Sequence, residues 1–315
     1  MRFAIAGSGA MGSMFGGYLV RAGYDVMLVD VDKCQVDTIN EHGLTLRHRD
    51  GADEVIAVRA TTEPDRDLGA VDAVIVLCKG WANATVATSV RHAVGPDTWV
   101  ATIQNGLGND VPLAAVLGAE RVLPGTTTAG AFRPEPGVVE VSPITSSGQS
   151  VTQLGPPRGG GPTDGVEGFT GALSGAGLPC ELLADADVVI WTKLAMAATA
   201  GPLTAALGTT VQGMIESPAA TSLLTSMFDE IMTLADAEGV ALDKTAVWDH
   251  AMRTYAAVGP HLTSMAADVV AGRRSEIDSF CVEISRRGVL RGVPTPTHDT
   301  IGRIIVAREE QAGLR

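Results

Sequence analysis

Arg2-Phe3-Ala4-Ile5-Ala6-Gly7-Ser8-Gly9-Ala10-Met11-Gly12 stands almost at the start of the chain. Its first five residues form a short apolar run without strict polar alternation, as a strand buried on both faces requires. The glycines then follow G-x-G-x-x-G, and Ala10 to Ala22 is long enough for a helix. Gly7 suits a tight turn, Gly9 a backbone that approaches a ligand, and Gly12 close packing of helix on strand. With Ser8, Ala10 and Met11 they make a turn that delivers helical N–H groups and a positive dipole end to a pyrophosphate. Asp30 ends the next strand-like run, 18 residues after Gly12. A carboxylate there accepts hydrogen bonds from adenosine ribose hydroxyls, so the combination predicts a dinucleotide site. It favours NAD(H) over NADP(H), because Asp30 repels a 2′-phosphate and no Arg occurs between Arg21 and Arg47. A plain capping role for Asp30, at the turn into the helix after Val31, stays open.

Outward from this turn, Asp25 to Asp30, Ala73 to Cys78 and Trp99 to Ile103 repeat the buried-strand texture, with helical segments such as Ala84 to His92 between them. Strand and helix in alternation predict an α/β fold with a Rossmann-type, doubly wound parallel sheet. Gly137 to Val141 and Val151 to Leu154 are expected as the sheet's antiparallel tail, ending in the Gly/Pro loop 155–162. Beyond Leu182 strand-like runs vanish. Leu223, Leu224, Met227, Ile231 and Leu234 trace one face of a helix, with Pro218 near its start. The chain therefore divides into a dinucleotide-binding domain, 1–182, and an all-helical domain, 183–315, for substrate binding and dimerisation.

At about 150 residues per domain, 315 residues fit two domains, and 45% hydrophobic with 19% charged residues excludes a disordered chain. The formal charge of −13 makes nucleic acid and anionic membrane surfaces poor partners. Only Lys33, Lys79, Lys193 and Lys244 are lysines among 23 basic residues. Cys34, Cys78, Cys180 and Cys281 lack metal-ligand spacing and read as reduced core thiols, with no metal expected. Neither a signal peptide nor an uninterrupted apolar span of about 18 residues is present, which points to a cytoplasmic protein.

Further segments carry the wording of one family. Cys78-Lys79-Gly80-Trp81, Gln104-Asn105-Gly106-Leu107-Gly108, Gly125-Thr126-Thr127-Thr128, Lys193-Leu194-Ala195-Met196 and Pro202-Leu203-Thr204-Ala205 resemble the ketopantoate reductases (2-dehydropantoate 2-reductases). Ser264-Met265 and Ala271-Gly272-Arg273-Arg274-Ser275-Glu276-Ile277-Asp278 complete the resemblance in the same order. It implies hydride transfer from a nicotinamide to the keto carbon of a 2-oxo acid, giving a 2-hydroxy acid. Lys193 matches the proton donor to the carbonyl oxygen, Glu276 the acid that bonds the substrate hydroxyl, and Ser264 the binder of the substrate carboxylate. Asn105 matches an asparagine near nicotinamide and substrate, and Lys79 a lysine that holds the cofactor, often by its 2′-phosphate. A homodimer is the expected assembly. From the residues alone, Lys193 follows Val188-Val189-Ile190-Trp191, and an ammonium in such surroundings tends to a lowered pKa suited to acid/base exchange. A lysine whose stem packs on the core while its head reaches water is the plainer reading. Twelve residues separate Ser264 from Glu276, which an unbroken helix would place on nearly one face, although Gly272 interrupts the pattern.

The chain also departs from the family. Ala197, Gly201 and His261 stand where the resemblance implies three asparagines that grip ketopantoate. Each lost hydrogen bond costs about 0.5–1.5 kcal/mol, and the two small residues leave a roomier, more apolar pocket. The expected substrate is a bulkier or less polar 2-oxo acid, branched or aromatic, as for the D-mandelate-type dehydrogenases that resemble this family and often use NAD. His261 remains open among a replacement polar contact, a second acid/base group and an ordinary helix-start residue. Alternatives are 2-dehydropantoate 2-reductase proper, a non-catalytic dinucleotide-sensing regulator, and an imine-reducing enzyme of opine type.

Overall fold

The computed structural model describes residues 1–48, 51, 53–142, 151–160 and 163–315, which form two compact units. The first comprises 1–104 with 109–186, the second 105–108 with 187–315. The last two residues of the Gly/Pro loop 155–162 lie outside the described residues.

The first unit runs β1 (Arg2–Ala6), α1 (Ala10–Arg21), β2 (Asp25–Val29), α2 (Lys33–His42), β3 (Leu44–His48), β4 (Glu54–Ile56), β5 (Arg59–Thr61), α3 (Pro64–Asp67) and β6 (Val71–Val76). It continues through α4 (Asn83–Val90), β7 (Val94–Thr102), α5 (Asp110–Leu117), β8 (Val122–Thr127), β9 (Ala131–Glu135), β10 (Val138–Val141), β11 (Thr152–Leu154), α6 (Val166–Gly175) and β12 (Cys180–Leu182). Eight strands make one sheet in the order β12-β11-β8-β7-β6-β1-β2-β5. All pairs from β8 to β5 are parallel, and β11 is antiparallel to β8 with β12 alongside it. Strand order reverses between β1 and β6, the switch point at which such sheets receive ligands. β1 lacks polar alternation because both its faces are covered. Phe3 and Ile5 pack with Met14, Phe15 and Leu19 of α1, whereas Ala4 and Ala6 pack with Ala87 and Val90 of α4 and Leu113 of α5.

Gly137 to Val141 does not join this sheet. β10 lies in a second sheet, β4-β3-β10-β9, paired parallel to β3 and antiparallel to β9. Val139 and Val141 are buried while Val138 and Glu140 are half-exposed, the period-2 pattern of a one-faced strand. Of the two segments expected in the antiparallel tail, only Val151 to Leu154 is there, as β11.

The second unit is helical: α7 (Asp187–Leu207), α8 (Val211–Glu216), α9 (Pro218–Ala237), α10 (Lys244–Val258), α11 (Ser264–Val270), α12 (Cys281–Arg291) and α13 (Pro296–Gln311). α7 carries Trp191, Leu194, Ala195, Ala198 and Leu203 into the apolar core, with α9 supplying Leu224, Met227, Ile231 and Leu234. Leu223, expected on the same face, is exposed. It is adjacent in sequence to Leu224 and so turned about 100° round the helix. Pro218 opens α9 behind Ser217, whose side chain accepts the Ala220 N–H at 3.3 Å. Among the described residues α7 is the one helix long and apolar enough to cross a membrane, and it is two-thirds buried. Cys180 and Cys281 are buried thiols and Cys78 is half-buried, but Cys34 is exposed, contrary to a core role for all four.

Candidate active site

The glycine turn separates what the fold demands from what it does not. A side chain at Gly7, whose φ is +103°, would strike the backbone of Cys78, and one at Gly12 would strike the Gly7 carbonyl. Gly9 is different: φ is −64° and nothing lies within 4 Å of the place a Cβ would take. No contact in the fold requires glycine there, whereas a pyrophosphate against the backbone would. Gly9 is also the N-cap of α1, provides no side-chain acceptor, and is followed by no acid in the first turn. The dipole end reaching Ala10 and Met11 is thus left for an anion. Lys79 follows Cys78 on the loop that abuts Gly7.

Asp30 is tied into this turn. Its Oδ2 accepts the Ser8 N–H at 2.6 Å and the Ser8 hydroxyl at 3.0 Å, and its Oδ1 accepts the Asp32 N–H at 3.0 Å. With about four acceptor positions on a carboxylate, one remains on Oδ1 for a ribose hydroxyl. The cap of α2 is Asp32, not Asp30, since Asp32 accepts the Gln35 N–H at 3.2 Å. Gln35, buried, donates to the Ser8 carbonyl at 2.9 Å and accepts the Gly137 N–H at 2.9 Å. It holds the β9–β10 turn against the fingerprint.

The remaining candidates belong to the helical unit. Lys193, Ala197 and Gly201 recur every four residues and share one face of α7. Desolvation pulls the Lys193 ammonium down to a pKa of about 8, and the nearby Glu276 carboxylate opposes the fall. Lys193 is itself half-buried. Glu276 does not share a helix with Ser264: α11 ends at Val270, Gly272 takes φ +64°, and Glu276 precedes a short 3₁₀ turn, Ile277–Ser279. Asn105 reaches the same neighbourhood through its loop, where the Leu107 N–H donates to the Ser279 carbonyl at 2.9 Å and a side chain at Gly106 would strike that carbonyl.

At the other end of the α7 face, a Cβ at Gly201 would lie 3.8 Å from Met265 Cβ, an ordinary contact. The fold therefore has space for a Cβ there. Thr263 caps α11 and its hydroxyl lies 2.8 Å from that of Thr204, which brings the N-terminus of α11 to α7. Ser264 is exposed in the first turn, and His261 is exposed with its carbonyl accepting the Val211 N–H at 3.0 Å. Pro202 lies within α7 just beyond, and the Tyr255 hydroxyl braces the helix by donating to the Met196 carbonyl at 2.8 Å.

Several residues had no signal in the sequence. Gln104 donates to the Cys78 carbonyl at 2.5 Å and to Asn83 Oδ1 at 2.8 Å, and Asn83 donates to the Asn109 carbonyl at 3.1 Å. This buried amide network fixes the loops that carry Lys79 and precede Asn105. Gln104 opens the Gln104-to-Gly108 segment, but an amide's partners are not written beside it. Arg133 of β9 pairs with Asp32 at 3.1 Å, so an arginine missing from residues 22–46 arrives from 101 positions away.

With this geometry in place, the comparisons with known proteins decide the family. The N-terminal family model, ketopantoate reductase PanE/ApbA, matches residues 3–159, and its C-terminal counterpart matches 185–309. The chain belongs to the ketopantoate reductase family. Membership makes it an NAD(P)-dependent oxidoreductase acting on a 2-oxo acid. A 2-dehydropantoate 2-reductase of Halobacterium salinarum is 29% identical over 97% of this chain and 98% of its own. A D-mandelate dehydrogenase solved with NADH and anilino(oxo)acetate is 26% identical with a TM-score of 0.90, over 99% of this chain and 100% of that one. A 2-dehydropantoate 2-reductase from Geobacter metallireducens GS-15 gives 27% identity and a TM-score of 0.87 over the same shares.

Proposed function

We propose that this family member reduces a 2-oxo acid bulkier or less polar than ketopantoate, with NADH. The observation that carries the substrate reading is the face of α7, where Ala197 and Gly201 follow Lys193 at helical spacing and nothing in the fold compels glycine at 201. Without amides at 197, 201 and 261, a polar substrate loses partners worth about 0.5–1.5 kcal/mol each, while an apolar group gains room. The D-mandelate dehydrogenase with anilino(oxo)acetate is a relative whose ligand is of this bulkier kind.

Gly7 to Gly12 and Asp30 would hold the dinucleotide, Lys79 would assist, and Asn105 would lie by the nicotinamide. The cofactor supplies the hydride when bound. Lys193 gives its proton to the carbonyl oxygen and is left neutral, to be recharged from solvent; its pKa of about 8 suits both states near neutrality. Glu276 orients the hydroxyl oxygen and keeps Lys193 from losing its proton too early. Ser264, at the start of α11, receives the substrate carboxylate, with a helix N-terminus behind it. Asp30 favours NADH because its remaining acceptor matches a hydroxyl and repels a phosphate.

The test is a substrate panel of ketopantoate, 2-oxoisovalerate and phenylglyoxylate with both cofactors. Highest kcat/KM for ketopantoate would instead support 2-dehydropantoate reduction, the activity for which the full-length relatives are named. Tight NADH binding without any turnover would support a sensor.

A further inference from the structure

We propose that the Asp32–Arg133 ion pair is a second determinant of cofactor choice, in which Asp32 holds Arg133 back from acting as a 2′-phosphate receptor. The inference rests on the NADH reading of Asp30 and adds residues to it. Asp30 Oδ1 accepts the Asp32 N–H at 3.0 Å, and Asp32 Oδ2 in turn accepts from Arg133 Nη1 at 3.1 Å. A guanidinium thus stands one residue's reach from the carboxylate that meets the ribose. Its position is built in. β9 and β10 are joined by a turn whose Gly137 donates to buried Gln35, and Gln35 also grips the fingerprint's Ser8. The hairpin is therefore docked on the first turn of α2 at two points.

Charge then decides the outcome. With Asp32 matched by Arg133, the Asp30 carboxylate, which among the described residues accepts only from the Ser8 N–H and hydroxyl and the Asp32 N–H, disfavours a phosphate. Remove the Asp32 charge and the guanidinium is released beside Asp30. A fork of N–H donors suited to phosphate would then be available. Lys33, the neighbouring cation, is turned away, with Nζ 2.7 and 3.0 Å from the two oxygens of Asp37 one helical turn on.

Titration calorimetry of the whole protein with NAD⁺ and with NADP⁺ tests this without turnover. Asp32→Asn keeps an oxygen to cap the Gln35 N–H and removes only the charge. It should tighten NADP⁺ relative to NAD⁺ by about tenfold, and Arg133→Gln added to it should cancel the gain. A ratio unchanged within about twofold in D32N, or a gain that survives R133Q, overturns the proposal. The ratio for the unaltered protein is a separate readout: preference for NADP⁺ there would sink the NADH reading of Asp30 itself.

Discussion

On the proposed dinucleotide site, Gly9 is where fold and ligand make different demands on one backbone atom. Because among the described residues no atom beyond its own and its two chain neighbours' lies within 4 Å of its missing Cβ, Gly9→Ala should change Tm by less than about 3 °C while weakening NADH binding at least about tenfold. Gly7→Ala should instead cost about 2 kcal/mol or more of stability, since its φ is +103° and Cys78 blocks the site. Calorimetric melting beside NADH titration checks both; equal losses in the two variants would remove the ligand argument for Gly9. Lys193 gives a pH prediction. On the proposed role of Lys193 as proton donor, reduction uses the protonated amine, so kcat/KM for the oxo acid should fall as pH rises through about 8. Glu276 holds that pKa up, so E276Q should move the alkaline limb to lower pH, and a limb that stays put would separate the two residues. Linkage has the same origin: between about 8 and 10.5 the unfolded chain binds more protons at Lys193 than the native one, so stability gained there rises with pH. The lysine was legible because only four of the 23 basic residues are lysines and this one lies just after the apolar run Val188 to Trp191. Glu276 was not, since its distinction is a neighbour 83 positions earlier in sequence.

Elements show the same division. The strands of the large sheet could be read because burial on both faces leaves a plain apolar signature, as in β1 with its two apolar layers. The second sheet escaped because β4 has three residues and β3 is Leu-Thr-Leu-Arg-His, too short and mixed to stand out. α11 and the Glu276 turn show how one left-handed glycine ends a periodicity that spacing alone would extend. α7 carries its own prediction. Putting amides back on its face, as A197N with G201N, should raise kcat/KM for ketopantoate relative to phenylglyoxylate by about tenfold or more, near the worth of two recovered hydrogen bonds. A Cβ at position 201 meets only an ordinary contact, 3.8 Å from Met265 Cβ. An unchanged ratio in the substrate panel would show that substrate size is set elsewhere.

At the scale of the molecule, composition and alternation were enough for an α/β half followed by a helical half, since both are statements about periodicity over tens of residues. What periodicity could not reveal is where residues 105–108 belong. The chain leaves the first unit after Gln104, gives Leu107 to the apolar core of the helical unit, returns at Asn109, and crosses over for good after Ala186. Recombination between relatives therefore has no single clean joint. A chimaera cut once at residue 186 would inherit 187–315 of the helical unit from one parent and its other four residues, 105–108 with the core residue Leu107, from the other. Grafting 105–108 together with 187–315 from the same parent should restore thermal stability to such a hybrid, measured as Tm against the single-cut version.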